Sequence, residues 1–549
     1  MGVAELAAGV LGRASSSPLL AVGAGFVDLT PVWLKDFAIR HFGSNDKTVL
    51  LIGLSAGITV AALVIGLVSK PRLVFGLIGL AAFGTVGVLA ALTRPVAEPV
   101  DALPSAVGAL AGMAALVVLA GSIRPKLRST TLPKLRPRHR VSPIRPTETT
   151  AAGEAVHGTA PPGGDQATDP RTEWENGPER RFRDTAEPAP GAGAGIDRRR
   201  VILTGVGVAG VAAAGGIAGR VLLRRGNVSS LRADVRLPRP VDAARPVPAG
   251  AQVRLPEMTP FRTSNRGFYR VDTALTLPQV DPRDWTLRIH GMVAHPVEMS
   301  FDDLLREALI ERDITLSCVS NQVGGDLAGD ARWLGAPLAP LLRKAGIRSG
   351  ADQILSRSYD GMTLSTPLET ILDGRDALIA VGMNGEPLPI VHGFPARMVV
   401  PGLYGYVSAT KWVVDLKVTR FATDQAYWTK RGYAERAPIK TFSRIDVPKP
   451  LATVKSGRVA VAGTAWAQHR GVDAVEWQVD NGPWRQAHLA PVPGLDTWRQ
   501  WVAEWDAAPG SHTLRCRATD GTGHTQPEHR TPPFPDGATG WHSVVVTVA

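Results

Sequence analysis

Cys318 is the residue in this sequence best suited to bind a transition metal. It ends a predicted strand and is followed by a segment rich in glycine and polar residues, 319–329. Glycine lets a backbone approach a ligand closely, and its N–H groups can face an anion. A single thiolate is a soft ligand for a metal whose other ligands come from elsewhere. The pattern also fits a small, buried apolar side chain, which is the commoner role of a lone cysteine.

Cys516 is the second of the two cysteines in the 549 residues. Two cysteines exclude a disulfide framework and a four-cysteine zinc or iron–sulfur site. One bridge between Cys318 and Cys516 stays open as the alternative to metal ligation. Cys516 lies in an alternating segment, 512–518, and we expect it in the core of a strand.

Four separated segments carry a further pattern, in order along the chain. They are residues 260–265, ending in Ser264-Asn265; residues 318–333, from Cys-Val-Ser-Asn to Asp-Ala-Arg-Trp; residues 381–402; and Lys411-Trp412. In this order they resemble the sulfite-oxidase family of molybdopterin-dependent oxidoreductases, in a membrane-anchored bacterial form. The resemblance extends from about residue 261 to the C-terminal residue.

The resemblance implies a molybdenum–molybdopterin cofactor with Cys318 as its protein ligand and catalytic residue. His392 and Arg397 correspond to groups that hold the pterin phosphate, and Ser408 and Lys411 add donors. Arginine offers phosphate a planar fork and lysine offers a compact charge. Without the cofactor, His392 would simply cap a turn and Arg397 would pair with a surface carboxylate.

Contacts to the pterin itself are expected from the first loop and from one later acidic residue. The resemblance assigns these contacts to Ser264, Asn265 and Asp360.

Departures from the family pattern concern the substrate. Sulfite oxidases have arginine where this chain has Ser264, and arginine again near Gln322 and Val323. Residues 361–365, where the family has a tyrosine near the metal, contain none. Each charge-assisted hydrogen bond contributes about 1.5–3 kcal/mol, so two missing cations disfavour a dianion such as sulfite. A neutral sulfoxide or N-oxide, reduced by removal of its oxygen, is the alternative substrate.

Short strands and helices must position these residues. Segments 285–290 and 377–381 are typical of strands. Ser300 with Asp303 predicts a capped helix over residues 300–306, and Gly346 ends a second helix over 337–344. Strands outnumber helices, so the predicted fold class is α+β, with a molybdopterin-binding catalytic domain at 226–449.

The pattern of the last hundred residues predicts a separate domain made of β-strands, with bounds 450–549. Five alternating segments are separated by turn residues, and Asp480-Asn-Gly482 is a hairpin signal. The pattern indicates an immunoglobulin-like β-sandwich. In the family a domain of this kind mediates dimerisation, so the resemblance implies a homodimer. The strands are 459–466, 475–479, 498–505, 512–518 and 543–548.

Three apolar stretches predict transmembrane helices: residues 48–68, 73–92 and 105–123. Each has about the 20 residues that cross a bilayer. Basic residues flank the first connection and follow the third stretch, which places both on the cytoplasmic side. Residues 1–46 contain shorter apolar runs, expected as an interfacial or re-entrant element of a membrane domain at 1–123.

The segment that follows, residues 124–197, is basic and rich in proline, and its composition predicts a disordered cytoplasmic linker. Arg198, Arg199 and Arg200 then precede a fourth apolar run. Residues 198–225 resemble a twin-arginine export signal, or are an ordinary transmembrane anchor. Either reading places the catalytic domain outside the cytoplasm of a multi-pass membrane protein.

The formal charge of +12 is concentrated beside the apolar runs, which argues against nucleic-acid binding. We therefore expect an extracytoplasmic oxidoreductase that couples oxygen-atom transfer to two-electron transfer. Its expected partners are a small oxyanion or an S- or N-oxide, the membrane, and a separate cytochrome or quinone-linked electron partner. A membrane-anchored binding module without catalysis is the competing class.

Overall fold

The computed structural model describes residues 1–12, 16–31, 34, 37, 41–42, 46–94, 97–123, 198–225 and 228–549. The predicted linker, 124–197, lies outside the described residues. The chain forms two compact units, one of Met1–Val117 with Val206–Ala549 and one of Val118–Gly205. In the second unit, the described residues belong to the ends of two helices.

Helices make up the described part of the N-terminal half. They are α1 (Gly2–Val10), α2 (Pro18–Leu29), α3 (Asp46–Val68), α4 (Leu73–Leu92), α5 (Leu103–Ile123), α6 (Arg198–Arg225) and α7 (Ser229–Asp234), with a 3₁₀ turn at Pro99–Ala102. The three predicted apolar helices are confirmed. In the part of the chain that the structure describes, four helices are long and apolar enough to cross a membrane, within Lys47–Val68, Leu73–Leu92, Pro99–Gly121 and Val201–Leu222.

Small residues bring some of these helices close together. Gly2 and Gly9 of α1 lie so near the backbone of α6 that a Cβ atom at either position would overlap Ala212 or Gly219. Close backbone approach of this kind stabilises helix pairs in an apolar environment. The N-terminal segments for which we expected an interfacial or re-entrant element form α1 and α2, and α2 packs against α3 and α4.

Two sheets, one mixed and one antiparallel, form the centre of the remaining part of the chain. One has the order β2-β1-β10-β5-β6 and is antiparallel except for the parallel pair of β1 and β10. The other has the order β3-β4-β7-β8, and β9 pairs with β7. Their strands are β1 (Thr286–Gly291), β2 (Val297–Ser300), β3 (Ile310–Ser317), β4 (Ala328–Pro337), β5 (Gln353–Ser358), β6 (Thr363–Pro367), β7 (Leu378–Met383), β8 (Glu386–Pro387), β9 (Arg397–Val399) and β10 (Val413–Thr419).

Short helices connect these strands, and both predicted helices are confirmed. Ser300 and Asp303 form a reciprocal capping box at the start of α8, and Gly346 ends α9 in a left-handed conformation. The helices are α8 (Phe301–Arg306), α9 (Leu338–Ala345), α10 (Leu368–Leu372) and α11 (Gly405–Ser408), with 3₁₀ turns at Ile390–His392 and Thr429–Arg431.

Two further sheets face each other across a separate apolar core. Their orders are β11-β13-β17-β16 and β12-β19-β18-β14-β15, and the core between them contains Val461, Trp501 and Cys516. The first strand starts at Phe442, ahead of the predicted boundary at residue 450. The strands are β11 (Phe442–Val447), β12 (Thr453–Val454), β13 (Gly457–Trp466), β14 (Val472–Val479), β15 (Arg485–Gln486), β16 (His488–Leu489), β17 (Arg499–Ala507), β18 (Gly510–Asp520) and β19 (His542–Val548).

This sheet pair is joined by packing and hydrogen bonds to the two central sheets that contain β1–β10, here called the catalytic sheets. Trp466 and Trp498 belong to the core of the catalytic sheets. The backbone N–H of Trp498 donates to the Thr315 hydroxyl at 2.8 Å, and Gln468 Nε2 donates to the Thr315 carbonyl at 2.9 Å. Strand β3, which leads directly to Cys318, is therefore held to the last sheet pair by two hydrogen bonds at Thr315.

Candidate functional site

Cys318 lies directly after β3, in a turn closed by backbone and side-chain hydrogen bonds. Its N–H donates to the Leu327 carbonyl at 2.9 Å, and the Asn321 side-chain oxygen accepts from Leu327 N–H at 2.9 Å. Burial raises the pKa of the thiol, while the N–H and hydroxyl of Ser320 hydrogen-bond to it. Neither cysteine forms a disulfide. The Cys318–Cys516 bridge is thus not formed, and the thiol is available as a ligand.

The loop after Cys318 is held by the last sheet pair. The His542 ring lies against Gly324, whose positive φ of 80° suits glycine. Arg444 donates to the Gly325 carbonyl at 2.7 Å. His542 also accepts a hydrogen bond from Ile445 N–H at 2.9 Å, and burial lowers its pKa to about 4. The loop after Cys318 therefore rests on side chains that come from far along the sequence.

Arg397, at the start of β9, is a buried cation without a carboxylate hydrogen-bond partner among the described residues. Its guanidinium donates to the carbonyls of His392 at 3.1 Å and Ala409 at 3.3 Å, and its Nε atom is buried with no partner there. The group also stacks 5.0 Å from the ring centre of Trp333. Burial lowers the pKa of Arg397 to about 10, so it stays charged at neutral pH.

His392 ends a 3₁₀ turn and connects this region to the first loop. Its Nε2 lies 2.8 Å from the Asn265 carbonyl, which fixes that nitrogen as the donor. Burial lowers the pKa of His392 to about 4, and the charge of Arg397 acts in the same direction. A neutral imidazole therefore leaves only Nδ1 as an acceptor at pH 7.

Lys411 belongs to a cluster of three cations around one carboxylate. Its Nζ lies 2.8 Å from Asp272 Oδ2, and Lys47 Nζ lies 2.6 Å from Oδ1 of the same carboxylate. Arg270 contributes a third contact at 2.8 Å. Burial lowers the pKa of Lys411 to about 8, and Asp272 opposes the shift. Although burial acts to raise it, the neighbouring cations hold the pKa of Asp272 below its usual range.

Tyr269 brings a phenol to the same region. Its ring stacks on Phe268 with 5.1 Å between ring centres. Burial raises the pKa of Tyr269 above its usual range, and the proximity of Cys318 acts in the same direction. The phenol therefore keeps its proton at any physiological pH and can act only as a neutral hydrogen-bonding group.

A cavity of about 450 Å³ connects these residues. Five of them share it as lining: Cys318, Asp360, His392, Arg397 and Lys411. The structure thus brings together five of the eight residues predicted from the sequence. Tyr269, Asp272 and Lys47 line the same cavity.

The other three predicted residues do not line this cavity. Ser264 is exposed and accepts a hydrogen bond from Gly267 N–H at 3.1 Å. Asn265 uses its amide to hold Met383 and Glu386 in place. Ser408 is fully buried, and its hydroxyl hydrogen-bonds to carbonyls of its own turn at 3.0 Å. In this structure their contacts support the loops around the cavity.

Tyr269, Asp272 and Lys47 are the site residues that sequence reasoning missed. Tyr269 and Asp272 follow the predicted contact Asn265 within a few residues. Extending the first loop to residue 272 would have included both of them. Lys47 gave no comparable signal, because a single lysine before an apolar helix normally marks a membrane boundary. Its pairing with Asp272 spans 225 residues.

The residues present fit the expected cofactor. The unpartnered Nε atom of Arg397 and the excess of cations over Asp272 are what a phosphate group would satisfy. The thiol of Cys318 lines the same cavity. Hydrogen-bond donors for a phosphate group and a soft metal ligand in one cavity match two parts of a metal-bearing pterin.

Comparisons with known proteins found one matching family model and several similar proteins. The oxidoreductase molybdopterin binding domain family matches residues 274–428. The mitochondrial sulfite oxidase of Mus musculus is 29% identical over 327 residues, covering 50% of this chain and 59% of that protein. The uncharacterized oxidoreductase YuiH of Bacillus subtilis (strain 168) is 33% identical over 156 residues, covering 28% of this chain and 75% of that protein. The sulfane dehydrogenase SoxCD from Paracoccus pantotrophus aligns with a TM-score of 0.46 and 23% identity, covering 52% of this chain and 84% of that one.

A cavity with these donors on an α+β scaffold defines a cofactor-binding oxidoreductase. The chain belongs to the sulfite-oxidase-type family of molybdopterin-dependent oxidoreductases, and its cofactor is molybdenum–molybdopterin. The predicted family, enzyme class and cofactor are confirmed. The chain spans 59% of the length of the mouse relative, so its reaction and partners are argued below from its own residues.

Proposed function

We propose that this chain catalyses oxygen-atom transfer coupled to the transfer of two electrons. The observation that carries the proposal is the single cavity that unites Cys318 with Arg397 and Lys411. When bound there, the molybdenum–molybdopterin cofactor supplies the oxygen-atom and electron chemistry. The protein's part is to hold the cofactor, exclude water and position the substrate.

Each cavity residue has a role that its surroundings support. Cys318 provides the thiolate ligand, and Ser320 hydrogen-bonds to its sulfur. Arg397 and Lys411 bind the phosphate as cations, and His392 is held neutral at the edge of the same group. Asp360 faces the cavity and is placed to accept from the pterin ring.

Tyr269 is the residue that we propose positions the substrate oxygen. Its phenol lies in the cavity with Cys318 and keeps its proton. A neutral O–H donor can bind a substrate oxygen in a site from which water is excluded. The family pattern places a tyrosine at residues 361–365, where this chain has none. We propose that Tyr269, from a different loop, provides the phenol instead.

The lining favours a neutral substrate. Among the described lining residues, the cations are Lys47, Arg397 and Lys411. The two lysines already pair with Asp272, and Arg397 faces the expected phosphate. A dianion would find no further cation there and would be costly to desolvate. We therefore propose that the substrate is a sulfoxide or an N-oxide, and that the reaction removes its oxygen.

We also propose a membrane location, an export route and an oligomeric state for this chain. The four apolar helices support a multi-pass membrane protein, and the basic flanks support an extracytoplasmic catalytic domain. A twin-arginine signal at Arg198–Arg200 is compatible with export of a folded, cofactor-loaded domain. We further propose that the two facing sheets after Phe442 are an immunoglobulin-like domain that mediates homodimer formation.

The test uses the full chain, purified in detergent from a host that makes the cofactor. We expect about one molybdenum per chain, and reduction of dimethyl sulfoxide or trimethylamine N-oxide by reduced benzyl viologen. The Cys318→Ser variant should lose turnover, and the matched Cys516→Ala variant should keep it. Oxidation of sulfite without reduction of either oxide would overturn the neutral-substrate proposal. Absence of molybdenum would leave a non-catalytic binding module.

A further inference from the structure

The cavity that contains Cys318 extends to the apolar helices. The part of its lining formed by Phe26 and Val27 of α2, with Val49 and Leu50 of α3, is here called the vestibule. Its side chains are apolar, and none belongs to the family motifs. Lys47, at the edge of the vestibule, is held by Asp272 and by the Ala274 carbonyl at 2.7 Å. The vestibule therefore borders the cofactor-binding residues directly.

A second cavity, of about 550 Å³, lies among the helices themselves. Phe26 and Leu50 line both cavities, so the second begins where the vestibule ends. Its wall includes Gly53 and Gly57, where an added Cβ would meet no atom within 4 Å. Gly84 and Gly87 also line it, and there the absence of a side chain allows close packing against Ala109 and Ser105. Phe26 and Leu50 therefore lie between two apolar cavities, one among the helices and one beside the proposed cofactor-binding residues.

We propose that the two cavities bind a membrane quinone, with its ring in the vestibule and its hydrocarbon tail among the helices. The inference rests on the proposed function, because that reaction requires a source of two electrons and two protons. A quinol has a flat ring and a long apolar tail, which matches a vestibule of aromatic and branched side chains continued by a glycine-lined slot. A folded cytochrome is far too large for a cavity of about 450 Å³.

The chemistry balances with the quinol as the only added reductant. The quinol loses two electrons and two protons and becomes a quinone. The S=O or N–O bond of the substrate breaks, its sulfur or nitrogen is reduced by the two electrons, and the oxygen leaves with the two protons as water. No further oxidant or reductant is needed.

Binding is tested first, because it does not depend on turnover. The full chain in lipid nanodiscs is titrated with radiolabelled decylubiquinone. Val49→Trp fills the vestibule, and we expect at least tenfold weaker binding. Val60→Trp is the matched control, since Val60 lies on the same helix, is 59% exposed and lines neither cavity. Equal binding by wild type and Val49→Trp, or displacement of the label by phospholipid alone, would overturn the proposal.

Turnover separates this inference from the proposed function. The rate of trimethylamine N-oxide reduction is measured with decylubiquinol and with reduced benzyl viologen, and the ratio of the two rates is compared. We expect the ratio to fall at least tenfold in Val49→Trp and to stay unchanged in Val60→Trp. An unchanged ratio in Val49→Trp refutes the quinone site. Absence of turnover with viologen refutes the proposed reaction, and the binding titration still decides the quinone site.

Discussion

Lys47 and Asp272 form an ion pair with 2.6 Å between Nζ and Oδ1, although 225 residues separate them in the chain. The same carboxylate holds Lys411, which faces the expected cofactor phosphate. Helix α3 is thereby linked, through one carboxylate, to the lysine that we propose binds the cofactor phosphate. Position and charge at the cofactor site depend on a residue of the helical part.

We expect Lys47→Met to lower the molybdenum content of the purified chain severalfold. Loss of this half-buried pair costs about 1 kcal/mol and frees Asp272 to hold Lys411 away from the phosphate. Lys47→Arg should restore much of the content, since it keeps the charge. Lys70→Met is the control, because Lys70 is exposed in the connection between α3 and α4. Equal molybdenum in the Lys47 and Lys70 variants would contradict the linkage.

Arg397→Met should abolish cofactor retention while the chain still folds. The substitution removes a buried cation whose Nε atom has no partner among the described residues. Arg397→Lys should recover little, because an ammonium group lacks the planar fork. Molybdenum and pterin content are measured beside the circular dichroism spectrum. Retention of the cofactor by Arg397→Met would show that phosphate binds elsewhere.

The residues that we propose as metal ligand and phosphate-binding groups could be selected from the sequence because each lies in a short local motif. Cys318, His392, Arg397 and Lys411 all line the cavity as the motifs predicted. Ser264 and Ser408 could not be placed in the same way, since a hydroxyl satisfies a nearby backbone group as readily as a ligand. Lys47 was unpredictable because its role depends on a contact across the fold, which no local pattern contains.

The elements of the fold were also predictable where their signal is local in the sequence, and not where it depends on distant contacts. Helices with clear caps, such as α8 after Ser300, and strands with regular alternation, such as β18 around Cys516, agree with their predicted segments. The joint between the two sheet systems was not predictable. Trp466 and Trp498 read as ordinary strand residues of the last domain, yet they complete the core of the catalytic sheets.

Gly393→Ala should disrupt the phosphate-binding region. Gly393 has a φ of 112°, and an added Cβ would lie 3.1 Å from both the Arg397 Cβ and the Lys411 Cα. Gly374→Ala is a matched control, because Gly374 has a φ of 99° and no atom within 4 Å of the added Cβ. Backbone strain costs each variant about 1–3 kcal/mol, but only Gly393→Ala should also lose molybdenum. Similar molybdenum content in both variants would argue against the close packing.

Tyr269→Phe should lower turnover about tenfold, the effect of losing one hydrogen bond to the reacting oxygen. Molybdenum content should stay unchanged, because the phenol is not assigned to cofactor binding. The steady-state rate of N-oxide reduction is compared with that of Tyr359→Phe, a substitution at an exposed tyrosine. A rate equal to that of the wild type would remove Tyr269 from the mechanism.

Acid should destabilise the cofactor-free chain through two buried histidines. His392 and His542 have pKa values of about 4 in the fold, against 6.5 as the ordinary value. Between these values the unfolded state binds more protons, so the free energy of unfolding decreases as pH falls from 6.5 to 4. The loss is up to about 3 kcal/mol for each histidine. The midpoint of thermal unfolding, followed across this range, should fall less in His542→Gln than in the wild type; equal slopes would contradict the assignment.

The contact between Gly324 and His542 also has a consequence for the order of events during synthesis. The loop that presents Cys318 is supported by a ring on β19, a strand that leaves the ribosome long after the loop itself. Until that strand has docked, the loop lacks its contact with His542, and the position of Cys318 is not fixed by that contact. We therefore expect cofactor insertion to follow completion of the last strand, so that a partly synthesised chain does not bind the metal.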